Sequence, residues 1–398
     1  NQGFNDHRVF SNYGAILQDL GKLKEAELSY RKAIELNPNF AMAHSNLGNI
    51  LSDLGKLQEA EPPYRKAIEL SPHYAVAHSN LGTILSDLGK LQEAEYSTRK
   101  AIALNPQYAE AHSNLGTILK DLGKLQEAEL SILMAIDLKP NFDQAIFNLS
   151  LIQMFQGDYI SGLKNYESRF KIKQVVKLHA QTQLPKWCGE PPEKGKNLLV
   201  ISEQGLGDTI HFMRYIPYLK KQGYKVKFCA QKDLHSIIKE SFIDSNPITN
   251  HQANQVLDGK YCPLLSLPLH LGVNQNNPII VEPYISTKNE LIAKWKDIFE
   301  KEERPIIGIS WQGNPKVELG YVKGRSIALE VFSKLAKTDK FRFVSLQKGF
   351  GSEQLEQCSF KDKFVKSQEL VSISNDFLDT AAHIENCDLV ITTDSCLA

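Results

Sequence analysis

One stretch of the sequence combines residue types that could do chemistry: SEQGLGDTIHF at 202–212, where two glycines precede an aspartate. Glycines between an apolar run and a helix commonly let the backbone approach a phosphate. The dinucleotide fingerprint needs a third glycine, which Ile210 replaces, and an acid after the next strand, which KVKFCAQ lacks. The ATP-type loop needs a lysine where Asp208 stands, and a carboxylate there would repel phosphates. Both phosphate-loop interpretations are therefore disfavoured.

Asp208 is then the distinctive residue of this stretch. It is predicted at the first turn of a helix, where the helix dipole and free N–H groups stabilise an anion. A carboxylate held ionised on a glycine turn, which the two glycines are predicted to form, suits a general base for an incoming hydroxyl. The structural alternative is that Asp208 only caps its helix, as many aspartates do. The residues alone leave both interpretations open.

A second set of candidate binding residues recurs every 34 positions in the first part of the chain. Carboxamides pair with both the donors and the acceptors of an extended peptide backbone. The predicted peptide-binding residues are Asn12, Asn46, Asn80, Asn114 and Asn148. Aspartates share their helix face in three units, at Asp53, Asp87 and Asp121. The alternative is that asparagine is simply common in such repeats. Histidines with the same period, at 44, 78 and 112, are predicted to pack between helices and not to bind metal.

The 34-residue period also predicts the elements that position these asparagines. A glycine recurs where a turn between two helices is needed, and a proline recurs where the second helix must end. The glycines are Gly21, Gly55, Gly89, Gly123 and Gly157, and the prolines are Pro38, Pro72, Pro106 and Pro140. This pattern resembles the tetratricopeptide repeat, which has two antiparallel helices per unit. It predicts an all-α superhelix of five units, 7–40, 41–74, 75–108, 109–142 and 143–176, with the first helices lining the concave face.

The second part of the chain alternates short apolar runs with helical stretches. Strands are predicted at 197–202, 225–230, 261–267, 306–311, 341–347 and 388–393, and helices at 208–223, 232–242, 326–337 and 376–387. Such alternation is typical of mostly parallel sheets with helices on both faces, here in two Rossmann-like halves. Ligands of such sheets bind at the carboxyl ends of the strands. The loops after 202, 311, 347 and 393 are therefore the predicted binding loops.

Composition shifts predict the domain boundaries. The stretch LPKWCGEPPEKGK is rich in proline, glycine and lysine and is typical of a connection between domains. Trp187 is predicted to anchor this linker onto one of its neighbouring domains. The predicted domains are a repeat array at 1–176, a linker at 177–195, a first Rossmann-like half at 196–288 and a second at 289–398.

Six motifs occur in one order over roughly residues 184–398: EQGLGDTIHFMRY, YCPLLSLP, GISWQGNP, GRSIALEVFSKL, FVSLQKG and DFLDTAAHIENCDLVITTDS. Together they resemble the glycosyltransferase family 9-like domain of the heptosyltransferase type. The resemblance implies a GT-B fold of twin Rossmann-like domains, the second incomplete here. It also implies an inverting, metal-independent transfer from a nucleotide-diphosphate sugar, which is a substrate, with no cofactor.

The same resemblance implies roles for individual residues. Asp208 matches the family's proposed base. The implied donor-binding residues are Gln312, Asn314, Lys316 and Arg325 for the diphosphate, Gln347 for the nucleoside, and Asp394 and Ser395 for the sugar side. A departing nucleotide diphosphate develops negative charge, and without a metal Arg325 can stabilise it bidentately, with Lys316 and Lys348 as point charges. The repeats would then recruit a protein acceptor or partner. The alternative is a non-catalytic tetratricopeptide scaffold that binds peptides and carries a degenerate transferase-like domain.

Composition bounds the remaining possibilities. Lys plus Arg equals Asp plus Glu at 46 each, so no global field directs the chain to nucleic acid. No apolar run approaches the roughly 20 residues of a membrane span. The six cysteines have no metal-ligand spacing, which favours a reduced, cytoplasmic setting. The absence of a first methionine and the end inside a strand-like run predict a piece of a longer protein, which can lack the activity of the whole.

Overall fold

The computed structural model describes residues 6–172, 176–279, 282–315, 326–374 and 376–393. The chain divides into two compact units. We call residues 1–175 the repeat unit and residues 176–398 the sheet unit. Among the described residues, no helix combines the length and the hydropathy that crossing a bilayer requires.

The described part of the repeat unit contains ten α-helices that follow one another in five pairs, so it has the predicted all-α tetratricopeptide architecture. A short 3₁₀ turn at Glu167–Phe170 follows the last pair. The first helices of the pairs are α1 (His7–Asp19), α3 (Ala41–Asp53), α5 (Ala75–Asp87), α7 (Ala109–Asp121) and α9 (Asp143–Gln156). The second helices are α2 (Leu23–Leu36), α4 (Leu57–Leu70), α6 (Leu91–Leu104), α8 (Leu125–Leu138) and α10 (Tyr159–Tyr166).

Two glycine positions explain the period of the repeat. The glycine that follows each first helix has a φ between 73° and 86°, a left-handed conformation that side chains disfavour. A second glycine lies inside each of the first four first helices where the paired helices cross. At Gly116, for example, an added Cβ would lie 2.5 Å from Cγ1 of Ile132 on α8. The pairs can therefore turn tightly and pack closely only with glycine at these positions.

The core of the repeat unit is continuous from pair to pair. Each second helix contacts its own first helix and also the first helix of the next pair, and consecutive first helices contact one another. Leu47, Ile50 and Leu51 of α3 are buried together with Tyr30 of α2 and Tyr64 of α4. Because the first helices lie side by side, they form the inner surface of the stack.

Two prolines are accommodated inside α4 without ending it. Pro62 and Pro63 lie within the helix, yet α4 has the same 14 residues as α2, α6 and α8. Pro62 lacks the N–H that would donate to the preceding turn. Because Pro62 is exposed, water can reach the carbonyl that is left without this donor.

The sheet unit contains two three-stranded parallel sheets. The strands are β1 (Asn197–Ile201), β2 (Lys225–Cys229), β3 (Lys260–Pro263), β4 (Ile306–Ser310), β5 (Arg342–Ser345) and β6 (Leu389–Thr392). Their order is β2-β1-β3 in the first sheet and β5-β4-β6 in the second, and every pairing is parallel. The first strand of each sheet is thus its central strand. The second strand lies on one side of it, and the chain then crosses over to place the third strand on the other side.

Helices and 3₁₀ turns connect the strands. The helices up to the second sheet are α11 (Leu206–Phe212), α12 (Tyr215–Lys221), α13 (His235–Glu240), α14 (Asn250–Ala253), α15 (Leu267–His270) and α16 (Asn289–Phe299), and Phe377–Glu385 precedes β6. The other helices around the second sheet are Ser333–Ala336, Gln354–Gln357 and Gln368–Ile373, and the 3₁₀ turns are Lys232–Leu234, Leu264–Ser266, Leu329–Phe332 and Lys361–Lys363.

Two predicted helices differ from the structure in their continuity. The predicted helix 208–223 is divided into α11 and α12, because Pro217 cannot donate to the preceding turn and is tolerated in the first turn of a new helix. The predicted helix 326–337 is a 3₁₀ turn at Leu329–Phe332 that continues into the short helix Ser333–Ala336. Both segments still connect the strands that they were predicted to connect.

The stretch predicted as a linker packs against the first sheet. The Trp187 N–H donates to the carbonyl of Tyr261 on β3, and its buried ring packs edge-on against Tyr224 and His270. Further along the same stretch, the indole N–H donates to the Glu190 carbonyl. Trp187 therefore acts as the predicted anchor, and it does so within the sheet unit.

Candidate functional site

The first candidate site is the turn between β1 and α11. β1 is the central strand of its sheet, so the turn lies where the crossovers to β2 and β3 diverge. In open parallel sheets this divergence leaves a crevice that binds ligands. The turn has a left-handed residue at Gln204, with φ of 60°. The prediction that the glycines form the tight turn is therefore corrected: Gly205 is extended, and the positive φ belongs to Gln204.

Asp208 lies in the first turn of α11 and caps that helix. Its Oδ2 accepts the Gly205 N–H at 2.9 Å. A Cβ on Gly205 would lie 3.2 Å from the same oxygen, so glycine gives the carboxylate room to fold back. The capping role that the sequence left open is therefore present. A base role for Asp208 stays a prediction.

Glu203 is a buried carboxylate at the same turn that the sequence analysis missed. It is fully buried, and its Oε1 accepts the Leu265 N–H at 3.1 Å. This bond joins the end of β1 to the segment that follows β3. A charged residue directly after the apolar run NLLVIS was the available signal, because a buried carboxylate needs hydrogen-bond donors.

A cluster of polar side chains lies at the other end of α11. Nη2 of Arg214 donates to Nδ1 of His211 at 3.0 Å and to the Tyr284 hydroxyl at 3.2 Å. That hydroxyl donates to the Ile210 carbonyl at 2.9 Å. Partial withdrawal from water, together with the neighbouring guanidinium, lowers the pKa of His211. His211 is therefore held neutral with its proton on Nε2, since Nδ1 accepts from Arg214.

The second candidate site is the loop after β4, the central strand of the second sheet. Gln347, which follows β5, holds this loop through its carboxamide. Oε1 accepts from the Ser310 hydroxyl and from the N–H groups of Trp311 and Gln312, at 3.0 to 3.1 Å. Nε2 donates to the carbonyls of Gln312 and Phe350, at 2.9 and 2.7 Å. Gln347 thus positions the loop, and its predicted contact with a nucleoside stays a prediction.

The other predicted donor-binding residues have different outcomes. Oε1 of Gln312 accepts from Nε2 of Gln354 at 2.8 Å, so Gln312 lies beside Gln347 in one network. Asn314 is exposed in the same loop. Lys348 is half-buried and donates to the Val371 carbonyl, which turns its ammonium away from the solvent, and burial lowers its pKa. Lys316, Arg325, Asp394 and Ser395 lie outside the described residues.

The third candidate site is the inner surface of the repeat unit. Three of the predicted asparagines donate from Nδ2 to the preceding pair. The acceptors are Asn49 for Asn80 at 2.9 Å, Ser79 for Asn114 at 3.1 Å, and Thr117 for Asn148 at 3.2 Å. Oδ1 of Asn148 accepts from Gln144 at 3.2 Å. The ladder therefore ties neighbouring pairs together.

Two of the predicted asparagines have no bond of this kind among the described residues. Asn46 is partly exposed and, within the described ranges, makes no hydrogen bond, and the same holds for exposed Asn12. Asn49 lies one turn after Asn46, on the helix face that the sequence assigns to both: its Oδ1 accepts from the Tyr64 hydroxyl at 2.6 Å as well as from Asn80.

The repeated histidines, which were predicted to pack between helices, each lie beside a carbonyl of the link between two pairs. Nε2 of His44, His78 and His112 lies 2.9 to 3.0 Å from the carbonyl of the proline six residues earlier. Each ring thus fixes the link between two pairs. In the part of the chain that the structure describes, no three His, Cys, Asp or Glu side chains are grouped so as to hold a metal ion.

Comparison with known families supports the repeats. The sequence matches models of the tetratricopeptide repeat over residues 14–55, 39–107 and 98–129. A search of curated protein sequences found no match.

Several solved structures are similar to the chain. YrrB, described as "a TPR protein with an unusual peptide-binding site", is 23% identical over 43% of this chain and 89% of its own, with a TM-score of 0.35. TTC0263 of Thermus thermophilus is 22% identical over 42% of this chain and 90% of its own, with a TM-score of 0.38. PilF of Pseudomonas aeruginosa is 21% identical over 42% and 75%, with a TM-score of 0.38. Residues 14–129 thus carry tetratricopeptide repeats.

Proposed function

We propose that the repeat unit holds an extended protein segment against its inner surface. The supporting observation is the ladder of first-helix carboxamides, whose Nδ2 atoms face the preceding pair. Oδ1 of Asn80 and Oδ1 of Asn114 make no hydrogen bond with other described residues. They are therefore available to accept hydrogen bonds from the N–H groups of a peptide backbone. Because every peptide has such a backbone, this kind of binding tolerates many different side chains in the ligand.

Asn46 offers the sharpest test of this binding. Because it makes no hydrogen bond with other described residues, Asn46→Ala removes a ligand contact without breaking an internal one. A peptide selected from a random display library against the full chain would serve as the probe, with its affinity measured by fluorescence anisotropy. We expect Asn46→Ala to weaken binding by about five- to tenfold, the value of one hydrogen bond.

Asn141→Ala is the matched control, since Asn141 is exposed on a link between pairs and not on the inner surface. Equal loss of affinity in the two variants, or none in Asn46→Ala, would place the peptide elsewhere. Helical circular dichroism of both variants should match that of the original chain.

For the sheet unit we propose transfer of a sugar from a nucleotide-diphosphate donor, with Asp208 as the base. Two observations support it. Asp208 and the Gln312 loop each follow the central strand of a parallel sheet with order 2-1-3, and such divergence points commonly bind ligands. The capped carboxylate also has its second oxygen, Oδ1, available for an acceptor proton.

In this mechanism Asp208 takes the proton of the acceptor hydroxyl as that oxygen attacks the anomeric carbon. The bond to the diphosphate breaks, and the diphosphate departs with the electron pair from the opposite face, which inverts the centre. The polar network of Gln347 and Gln312 would hold the donor loop in a fixed shape before reaction. The repeat unit would supply the acceptor.

Asp208→Asn separates the two roles of this residue. Its amide oxygen still accepts the Gly205 N–H, so the cap and the fold should persist, whereas a carboxamide cannot take a proton. Thermal-shift screening with UDP-, GDP- and ADP-sugars would first identify a donor. Transfer or donor hydrolysis should then fall by at least about 10²-fold in Asp208→Asn.

Unchanged turnover in this variant would remove Asp208 from the mechanism. Absence of a shift with every donor in the full-length protein would favour the alternative, a scaffold that binds peptides through its repeats.

A further inference from the structure

The guanidinium of Arg214, just after α11, forms no ion pair with any carboxylate that the structure describes. Its Nε donates to the His211 carbonyl at 2.7 Å, and its Nη2 donates to Nδ1 of His211 and to the Tyr284 hydroxyl. The Tyr284 ring also lies against the cation, with the guanidinium carbon 4.7 Å from the ring centroid. All these partners are neutral, so they fix the position of the positive charge without neutralising it.

A partly buried cation of this kind favours an anion beside it. Arg214 is only partly exposed, and charged side chains that are withdrawn from water are usually paired. Nη1 of Arg214 makes no hydrogen bond with another described residue, and neither does Nε2 of His211. His211 carries its proton on Nε2, because its Nδ1 accepts from Arg214. A charged donor and a neutral donor are therefore available to a carboxylate or a phosphate.

Both donors lie next to the carboxylate that we propose as the base. Asp208 and His211 are three residues apart in α11, so their side chains share one face of the helix. Burial and then the Arg214 cation lower the pKa of His211, and the Asp208 charge acts in the opposite sense, so both charges are close to this ring. Met213 and Arg214 continue the helical backbone conformation. With a rise of about 1.5 Å per residue, His211 and Arg214 lie about 5 and 9 Å from Asp208 along the axis.

We propose that Arg214 and His211 bind a carboxylate or phosphate group of the acceptor, beside the hydroxyl that Asp208 would deprotonate. This inference rests on the transfer proposed for the sheet unit and names a property of its acceptor. An extended peptide advances about 3.3 to 3.6 Å per residue, so a separation of about 5 to 9 Å spans one to three residues. The acceptor is then a serine or threonine with an acidic or phosphorylated residue within about three positions of it.

The first test is the binding of inorganic phosphate to the full chain, followed by NMR of the histidine ring nitrogens. The His211 signal is identified by its absence in His211→Gln. We expect phosphate to shift this signal saturably, and NaCl of equal ionic strength to leave it in place. Arg214→Gln should weaken the binding at least about tenfold, because it removes a charged donor.

Two further variants control for charge and for folding. Lys221→Gln, at an exposed lysine of α12, removes the same charge elsewhere and should leave phosphate binding unchanged. Arg214→Lys keeps the positive charge at the site and should bind phosphate more tightly than Arg214→Gln. Tryptophan fluorescence in urea should show the same unfolding midpoint for Arg214→Gln and Arg214→Lys.

A pair of peptides identifies the source of the anion. A serine peptide with an aspartate two residues after the serine should displace phosphate better than the same peptide with asparagine there, and Arg214→Gln should remove the difference. Once a donor is known, Arg214→Gln should raise the KM for the aspartate peptide and leave donor hydrolysis unchanged, because Asp208 remains.

The outcomes separate this inference from the proposed transfer. Absence of phosphate binding, or equal binding by the Arg214→Gln chain, would overturn the inference even where transfer is observed. Stronger displacement by glucuronate than by the aspartate peptide would contradict a protein acceptor and assign the anion to a sugar. Phosphate binding that depends on Arg214, in a full-length protein that binds no nucleotide sugar, would support the anion site but contradict the transfer.

Discussion

The repeat unit makes the same polar contacts again and again, whereas the sheet unit makes each of its contacts once. The histidine–carbonyl bond occurs at His44, His78 and His112 in the same geometry. In the sheet unit, a single carboxamide, that of Gln347, makes five hydrogen bonds that fix one loop. Removing one contact should therefore lower the free energy of unfolding only slightly in the repeat unit, where equivalent contacts remain in the neighbouring pairs. Removing one contact in the sheet unit should lower it more, because no equivalent contact remains.

The largest expected effect comes from Gln347→Leu. The change leaves the Trp311 and Gln312 N–H groups without their acceptor in a largely buried place. We expect the free energy of unfolding of the sheet unit to fall by about 3 to 5 kcal/mol. All three tryptophans, at 187, 295 and 311, belong to the sheet unit, so their fluorescence in urea reports this unit alone.

Gln144→Leu is the matched control in the repeat unit. Its side chain is only partly buried and, among the described residues, makes one hydrogen bond, to Asn148. Unfolding of the repeat unit, followed by its helical circular dichroism, should show a free energy of unfolding that is lower by less than about 1 kcal/mol. Equal losses in the two variants would contradict the view that contacts are concentrated in the sheet unit.

The same difference explains how much the sequence could predict. The period of 34 marks the ends of each helix pair with residues such as Gly55 and Pro72, so the helices of the repeat unit are predicted closely. The six strands are also predicted to within one residue at their starts, but the third ends at Pro263 and not at 267, because a 3₁₀ turn begins at Leu264. The period shows that the asparagines share one helix position, but the donation from Asn80 to Asn49 depends on the stacking of two pairs, which no local pattern contains.

In the sheet unit, the missed features are those made by distant residues. Glu203 meets the Leu265 N–H only because β1 and β3 are adjacent, and strand order is not encoded in either segment. The positive φ of Gln204 was likewise assigned to glycines, which are the usual residues there. Sequence reasoning therefore found Asp208 and its helix cap, but not the Glu203 bond beside it.

The next effect in size is a dependence on pH that a single histidine gives the sheet unit. His383 is fully buried against Trp295, with ring centroids 4.1 Å apart, and neither ring nitrogen makes a hydrogen bond with another described residue. Burial, with the Lys348 cation as a smaller cause, lowers the pKa of His383 to about 4. The folded state therefore resists protonation, whereas the unfolded chain takes up a proton near pH 6.5.

The stability that this pKa difference provides is present above pH 6.5 and lost as the pH falls toward 4. The loss should reach about 3 kcal/mol near pH 4. His383→Phe keeps an aromatic ring against Trp295. In this variant the urea midpoint of the tryptophan fluorescence transition should change less between pH 7 and pH 4 than in the original chain. His251→Phe, at an exposed histidine, should keep the original slope. Parallel pH curves for His383→Phe and the original chain would contradict the prediction.

The smallest expected effect tests the sharing of contacts within the repeat unit. Glu61 accepts from Lys90 and Arg65, which lowers its pKa, and Glu95 accepts in the same way from Lys124 and Arg99. Each Glu→Gln change should cost less than about 1 kcal/mol in helical unfolding at low salt.

The double variant is the sharper measurement, because Glu61 and Glu95 share no partner. Its cost should equal the sum of the single costs within about 0.5 kcal/mol. All three costs should shrink in 1 M NaCl, where the screening length is only about 3 Å. A double variant that costs far more than the sum would mean that the ion pairs of successive pairs act together. The repeat unit would then concentrate its stability as the sheet unit does, although its contacts recur along the chain.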